Sequence, residues 1–215
     1  EFLQRLAQAP DVHVDGAFTN EQIASPDVGV DLVTLEDIAG LAHQHGGRTQ
    51  SGGGFGEINV EGTRRALLAA IEAGVGHFIL ISSVSVYGSA PGVPDESFDC
   101  APLTAYARSK YQGELAARRI IENQRAGRRT RLTVLRMGTL YGPGDPGNVA
   151  RLMDRIDRGR FVFPGRGQQR KSLLHVEDAA EACLRVARAE THGIFNVAGP
   201  AVSMREIVSM IAELL

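Results

Sequence analysis

Apolar positions along this chain follow two patterns. The continuous run Phe78-Ile79-Leu80-Ile81 predicts a fully buried strand, and the mostly apolar Leu132-Thr133-Val134-Leu135 and Ile194-Phe195-Asn196-Val197 predict two more, the former buried. Longer stretches with helical spacing predict helices over Asn59–Ala73, Thr104–Asn123 and Asn148–Arg158. The first is rich in Ala and Leu and stopped by Gly74. A last helix is opened by the capping box Ser203-Met204-Arg205-Glu206. The strand His77–Ser83 follows the first helix at once, which is the helix–strand alternation of an α/β fold with a doubly wound parallel sheet.

Between these elements the signals are weaker. Residues 1–9 read as an amphipathic helix closed by Pro10, Val12-His13-Val14 as a short strand, and Val28–Leu35 as strand-like. Gly88–Pro102 holds three prolines and two glycines and reads as a loop bordering a substrate. Phe161-Val162-Phe163 reads as a short strand and Gly165-Arg166-Gly167 as a turn.

With 215 residues, 43% hydrophobic and 22% charged, the chain has room for one large domain or a domain with a small lobe. A net charge of −2 gives no reason to expect a nucleic-acid partner. Cys100 and Cys183 make no disulfide framework, and no apolar run approaches a membrane span, so a cytoplasmic setting without a membrane partner is expected. His43 and His45 have no third ligand at a useful spacing, so no metal is expected.

Candidate chemistry gathers between the first two strands. Tyr106 and Lys110, four residues apart, share one face of a helix, although a bare pair at this spacing also fits a solvated helix face. A cation beside the phenol favours phenolate and lowers its pKa, as suits a general acid/base. Ser82 and Ser83 end the preceding strand and offer a hydroxyl from the other side. Two glycine-rich stretches are set aside. Ser51–Gly56 fits no phosphate-binding pattern and reads as a flexible surface loop. Gly142–Gly147 matches G-x-G-x-x-G, but its two prolines remove N–H donors that a pyrophosphate would need.

The ordered segments INVEGTRRALLAAIEAGV (from Ile58), ISSVSVYG (from Ile81), PDES (from Pro94), LRMGTLYGPGD (from Leu135), KSLLHVEDAAEA (from Lys171) and GIFNVAGP (from Gly193) resemble the extended short-chain dehydrogenase/reductases. Within these, the chain is similar to the NAD-dependent epimerase/dehydratases of nucleotide sugars, over about Ile58–Leu215. The resemblance implies a Rossmann-like dinucleotide-binding domain, residues 1–140 with 174–198 returning to it. It also implies a substrate-binding lobe of residues 141–173 and 199–215. NAD or NADP is the implied cofactor, a nucleotide sugar the implied substrate and a homodimer the implied assembly. Pairing would run through helices 59–73 and 104–123, where Ala66, Ala69, Ala70 and Ala73 suit either a partner helix or the sheet.

By the same resemblance Tyr106 is the acid/base, and Lys110 keeps it ionisable and bonds the nicotinamide ribose. Ser83 is the catalytic hydroxyl with Ser82 touching the cofactor, and Ser82 as the active hydroxyl stays open because neighbouring strand residues face opposite ways. Ala39 lies beside the dinucleotide, Asp15 is either the ribose acid or a turn residue, and Met137 and Gly138 pass under the nicotinamide. Ser85 and Thr139 face the substrate. Arg170 or Lys171 pairs its diphosphate, with Arg166 a further candidate. Dehydratases of the family carry Asp-Glu where Val84 and Ser85 stand, which points to an epimerase or a keto-sugar reductase. A non-catalytic NAD(P)-binding sensor or scaffold is the rival. The intact Ser83, Tyr106 and Lys110 speak against it, and the missing Gly-rich turn speaks for it. The family's opening strand and Gly-rich turn are not in the sequence, which suggests a fragment or omitted segments.

Overall fold

Helix α1 (Thr63–Glu72) turns Leu67 and Ala70 inward, where they pack with Val75, Phe78 and Ala117 into a buried core flanked by Ala66, Ile71, Leu80, Ile120, Ile121 and Leu132. The computed structural model describes residues 54–90, 92–124, 130–143, 147–163, 165–189 and 191–215. The expectations for residues 1–53, Ala39, Asp15 and the His43/His45 pair among them, lie outside these. Gly74, at φ 78°, ends the helix as read from the sequence. The four alanines split: Ala66 and Ala70 face the core, and Ala69 and Ala73 are exposed.

The α-helix begins later than its periodicity suggests, because Gly54–Gly56 is a short helical turn and Glu57–Gly62 is wound as a π-helix. Helix α2 (Ala105–Glu122) crowds this stretch. A methyl group at Gly113 would come within 2.5 Å of the Asn59 carbonyl, which also accepts the Thr63 hydroxyl at 2.8 Å.

Strands β1 (His77–Ser83), β2 (Arg131–Met137) and β5 (Gly193–Val197) form one sheet in the order β1-β2-β5. Neighbours β1 and β2 are joined through α2, the crossover that parallel neighbours require. Only Phe78 and Ser82 of β1 are fully buried, against Thr133 to Met137 without a break in β2, because β2 has a strand on each side among the described residues. His77 Nε2 lies 2.8 Å from Thr133 Oγ1, which donates its proton to the Thr191 carbonyl at 2.6 Å. A threonine has one proton, so His77 is the donor across this pair.

Strands β3 (Thr139–Tyr141), β4 (Arg170–His175) and β6 (Ala201–Ser203) form a second sheet, β3 parallel to β4 and β6 antiparallel to it. Helices α3 (Asn148–Asp157), α4 (Val176–Arg188) and α5 (Met204–Ala212) are the remaining helices among the described residues. The Ser203–Glu206 capping box forms as read. Phe161–Phe163 is not a strand: Val162 is 82% exposed, and the two phenylalanines stack edge to face at 5.0 Å, with the Arg205 guanidinium 5.2 Å from the Phe163 ring centroid. Alternation suggested strand there, and aromatic and cation–π packing took its place.

The chain resolves into two compact units. One holds the described residues up to Arg136 with Arg185–Phe195, the other Met137–Leu184 and Asn196–Leu215.

Candidate active site

Strand β1 stops at Ser83 because the backbone turns there into a 3-10 turn, Val84–Tyr87, capped by the Ser83 side chain. Ser83 Oγ accepts the Ser85 backbone N–H at 3.2 Å and the Ser85 hydroxyl at 2.9 Å. Both lone pairs are then engaged, which leaves the single Ser83 proton free to be offered to the Tyr106 phenol. Burial raises the phenol above its ordinary value, and the Ser83 bond pulls it part of the way back.

Tyr106 is presented by α2, whose first turn is capped by Thr104, accepting from the Ala107 N–H at 3.0 Å. Ser109 steadies the same turn by donating to the Tyr106 carbonyl at 2.8 Å and accepting from Asn59 Nδ2 at 2.9 Å. Phe55 stands edge-on to the Tyr106 ring at 5.8 Å. At 39% exposure Tyr106 is the most open member of the group, since Ser83, Ser85 and Lys110 are half-buried.

Lys110 Nζ donates to the Ile81 carbonyl at 3.1 Å and sits 6.0 Å from the Tyr106 ring centroid. Burial lowers its pKa, and the Glu114 carboxylate opposes that. The expected lowering of the tyrosine by Lys110 is therefore corrected. The ammonium is turned to a strand carbonyl and burial dominates at the phenol; what counters burial there is Ser83.

The two serines are separated by their partners. Ser82 is buried, and its hydroxyl donates to Glu114 Oε1, while Ser83 reaches Tyr106. Sequence reasoning missed what lies behind Ser82. Glu114 takes the Arg136 guanidinium on both oxygens, with Nη2 to Oε2 at 2.7 Å and Nε to Oε1 at 3.2 Å, and Arg136 Nη1 donates to Tyr87 Oη at 2.8 Å. The available signal was an acid at i+4 from Lys110 and an arginine closing an apolar strand run.

The loop after this turn meets a tight contact. Gly88 has φ +70°, and a Cβ there would lie 2.1 Å from the Ala101 carbonyl oxygen. Gly88→Ala is expected to lower unfolding free energy by about 2–3 kcal/mol, read from the urea midpoint at unchanged slope.

The structure thus brings Ser83, Ser85, Tyr106 and Lys110 together. Met137, Gly138, Thr139, Arg170 and Lys171 belong to the other compact unit. There Met137 is buried, and the Gly138 N–H donates to the Val197 carbonyl at 2.8 Å. A Cβ on Gly138 would sit 2.9 Å from the Ser172 carbonyl oxygen, so only glycine fits without a shift. Thr139 is half-buried and paired in register with Leu173. Arg170, Lys171 and Arg166 are all exposed; Arg170 donates to the Ala201 carbonyl. Among the described residues no group of His, Cys, Asp or Glu is placed to hold a metal, and no helix is long and apolar enough to cross a membrane.

A model of the NAD dependent epimerase/dehydratase family matches residues 19–198. The N-acetyl-alpha-D-glucosaminyl-diphospho-ditrans,octacis-undecaprenol 4-epimerase of Escherichia coli O157:H7 is 30% identical over 187 residues, 86% of this chain and 56% of that protein. A dTDP-4-dehydro-6-deoxy-D-allose reductase of a Streptomyces species is 30% identical over 66% of this chain and 47% of its own length. The chain spans about half the length of the curated relatives it matches. Among solved structures, MoeE5 in complex with UDP-glucose and NAD is similar at 36% identity and TM-score 0.65, covering 73% of this chain and 54% of that one. The UDP-glucose 4-epimerase of Thermus thermophilus, in complex with NAD, is similar at 27% identity and TM-score 0.63, with 73% and 54% covered.

Proposed function

Since the chain belongs to the NAD dependent epimerase/dehydratase family, we propose that it is an NAD(P)-dependent enzyme of nucleotide sugars, an epimerase or a keto-sugar reductase. The observation that carries this reading is the convergence of Ser83, Tyr106 and Lys110 at the end of β1. In it, Tyr106 takes a proton from a sugar hydroxyl, or returns one, at its phenol oxygen. Ser83, whose proton is directed at that oxygen, stabilises the phenolate. Lys110 adds positive charge on the same helix face.

The donor set suits a dinucleotide. Among the described residues the one hydrogen bond of the Lys110 ammonium is to Ile81, which leaves donor capacity for a ribose hydroxyl, and Tyr106 is exposed. Lys110 and Tyr106 would hold the nicotinamide ribose, with Ala39, Met137 and Gly138 along the dinucleotide. Ser82 would join them through its backbone, its hydroxyl being given to Glu114. When bound, the nicotinamide supplies hydride transfer to and from the sugar carbon. Thr139 and Ser85 would line the sugar, and Arg170 or Lys171 would meet the diphosphate. Val84 and Ser85 offer no carboxylic acid for loss of water, which favours epimerisation or reduction over dehydration.

A cytoplasmic homodimer, with residues 1–140 and 174–198 as the dinucleotide-binding part, belongs to the same proposal, and sedimentation of the intact protein tests the pairing. Calorimetric titration with NAD and NADP tests the function. Micromolar binding is expected, weakened about tenfold or more by Lys110→Met, which removes a charged hydrogen-bond donor. Absence of binding by either dinucleotide would remove the reading.

A further inference from the structure

We infer that the buried Glu114–Arg136 ion pair is a clamp that fixes the Ser83 hydroxyl toward Tyr106, with both charged residues acting as positioning residues. The inference rests on the proposed role of Ser83 and Tyr106. Glu114 is 1% exposed and Arg136 3%. Two charges buried this completely add little net stability over a well-packed apolar pair, so their contacts are where a reason is to be sought. Those contacts fall on both flanks of Ser83. Glu114 accepts from Ser82, the residue before it, and Arg136 donates to Tyr87, the last residue of the turn after it.

Between these fixed points stands Ser85, whose N–H and O–H occupy the lone pairs of Ser83. If the turn shifts, Ser85 withdraws, and the Ser83 proton is no longer committed to the phenol. Glu114 follows Tyr106 by eight residues and Lys110 by four, on one stripe of α2. The clamp therefore references the β1 terminus to the helix that carries its catalytic partner. The carboxylate–guanidinium contact is two-pronged, the geometry that best fixes orientation.

The test uses the intact protein with Glu114→Gln, which keeps the shape and removes the charge, and with Tyr87→Phe, which keeps the ring and removes the hydroxyl that accepts from Arg136. Amide hydrogen exchange is followed alongside steady-state turnover of a UDP- or dTDP-sugar. Exchange at Ser85 and Gly88, whose amides bond within the turn, is expected to rise about tenfold in each variant while Leu80 in β1 stays unchanged. Turnover should fall through kcat, by about 100-fold in Glu114→Gln, with little change in KM. A uniform rise of exchange across β1, an unchanged turn, or an unaltered kcat in active protein overturns the clamp. A wild-type protein that turns over neither UDP- nor dTDP-sugars removes the proposed activity, and the exchange pattern then decides the clamp by itself. Should Glu114→Gln fail to fold, Tyr87→Phe carries the same comparison.

Discussion

Tyr106→Phe is expected to cut turnover of a nucleotide sugar about 1,000-fold while leaving the protein folded and dinucleotide binding within a few-fold of wild type. The phenyl ring keeps its edge-on contact with Phe55 and its place in the first turn of α2. What disappears is the oxygen that would exchange the proton, together with the acceptor of the Ser83 bond. General acid/base groups account for about 10² to 10⁴ in rate, and the loss should appear in kcat and kcat/KM alike. Stability should move by no more than about 1 kcal/mol, because half-buried Ser83 can turn to solvent. Activity retained to within tenfold would mean that Tyr106 is not the acid/base.

The second large effect concerns the fold. Arg136→Met leaves the Glu114 carboxylate buried with Ser82 as its remaining donor, and Tyr87 without its guanidinium. Removing one partner of a buried pair costs about 3–5 kcal/mol, a large share of the roughly 5–15 kcal/mol that holds a domain together. The urea midpoint should fall accordingly. In the double variant Glu114→Leu with Arg136→Met most of that loss should be recovered, since no charge is left unpaired. If the single variant loses under about 1 kcal/mol, the pair is not as sealed from water as its burial indicates. If the double variant recovers stability and kcat together, the pair is only scaffolding.

Local signals carried much of this fold into view. Thr104 and Ser203 are caps whose partners lie three residues on, Gly74 needs a left-handed backbone, and β1 contains the apolar run Phe78–Ile81, so each is legible over a few residues. The spacing of Tyr106 and Lys110 is equally local. The misses share the opposite property. The π-wound stretch Glu57–Gly62 lies close against Gly113, some fifty residues away, and the Phe161–Phe163 pair meets Arg205. The ionic centre joins Tyr87, Glu114 and Arg136 across separations of 49 and 22 residues. No window of sequence contains it. The direction of the Ser83 proton depends on two donors from Ser85, which spacing alone does not reveal, and the sign at Tyr106 depends on burial rather than on the neighbouring cation.

Helix α2 carries Tyr106, Lys110 and Glu114 in equal steps of four, and this has a consequence for which changes of length the chain tolerates. One residue inserted between Lys110 and Glu114 would rotate the carboxylate by about 100° away from Ser82 and Arg136 while leaving the phenol in place. One inserted between Tyr106 and Lys110 would part the ammonium from the phenol by the same angle. Between Tyr106 and Glu114 this helix therefore tolerates neither insertion nor deletion. The connecting segment between Gly88 and Thr104 has no such periodic constraint, so changes of length are accommodated there rather than in the helix.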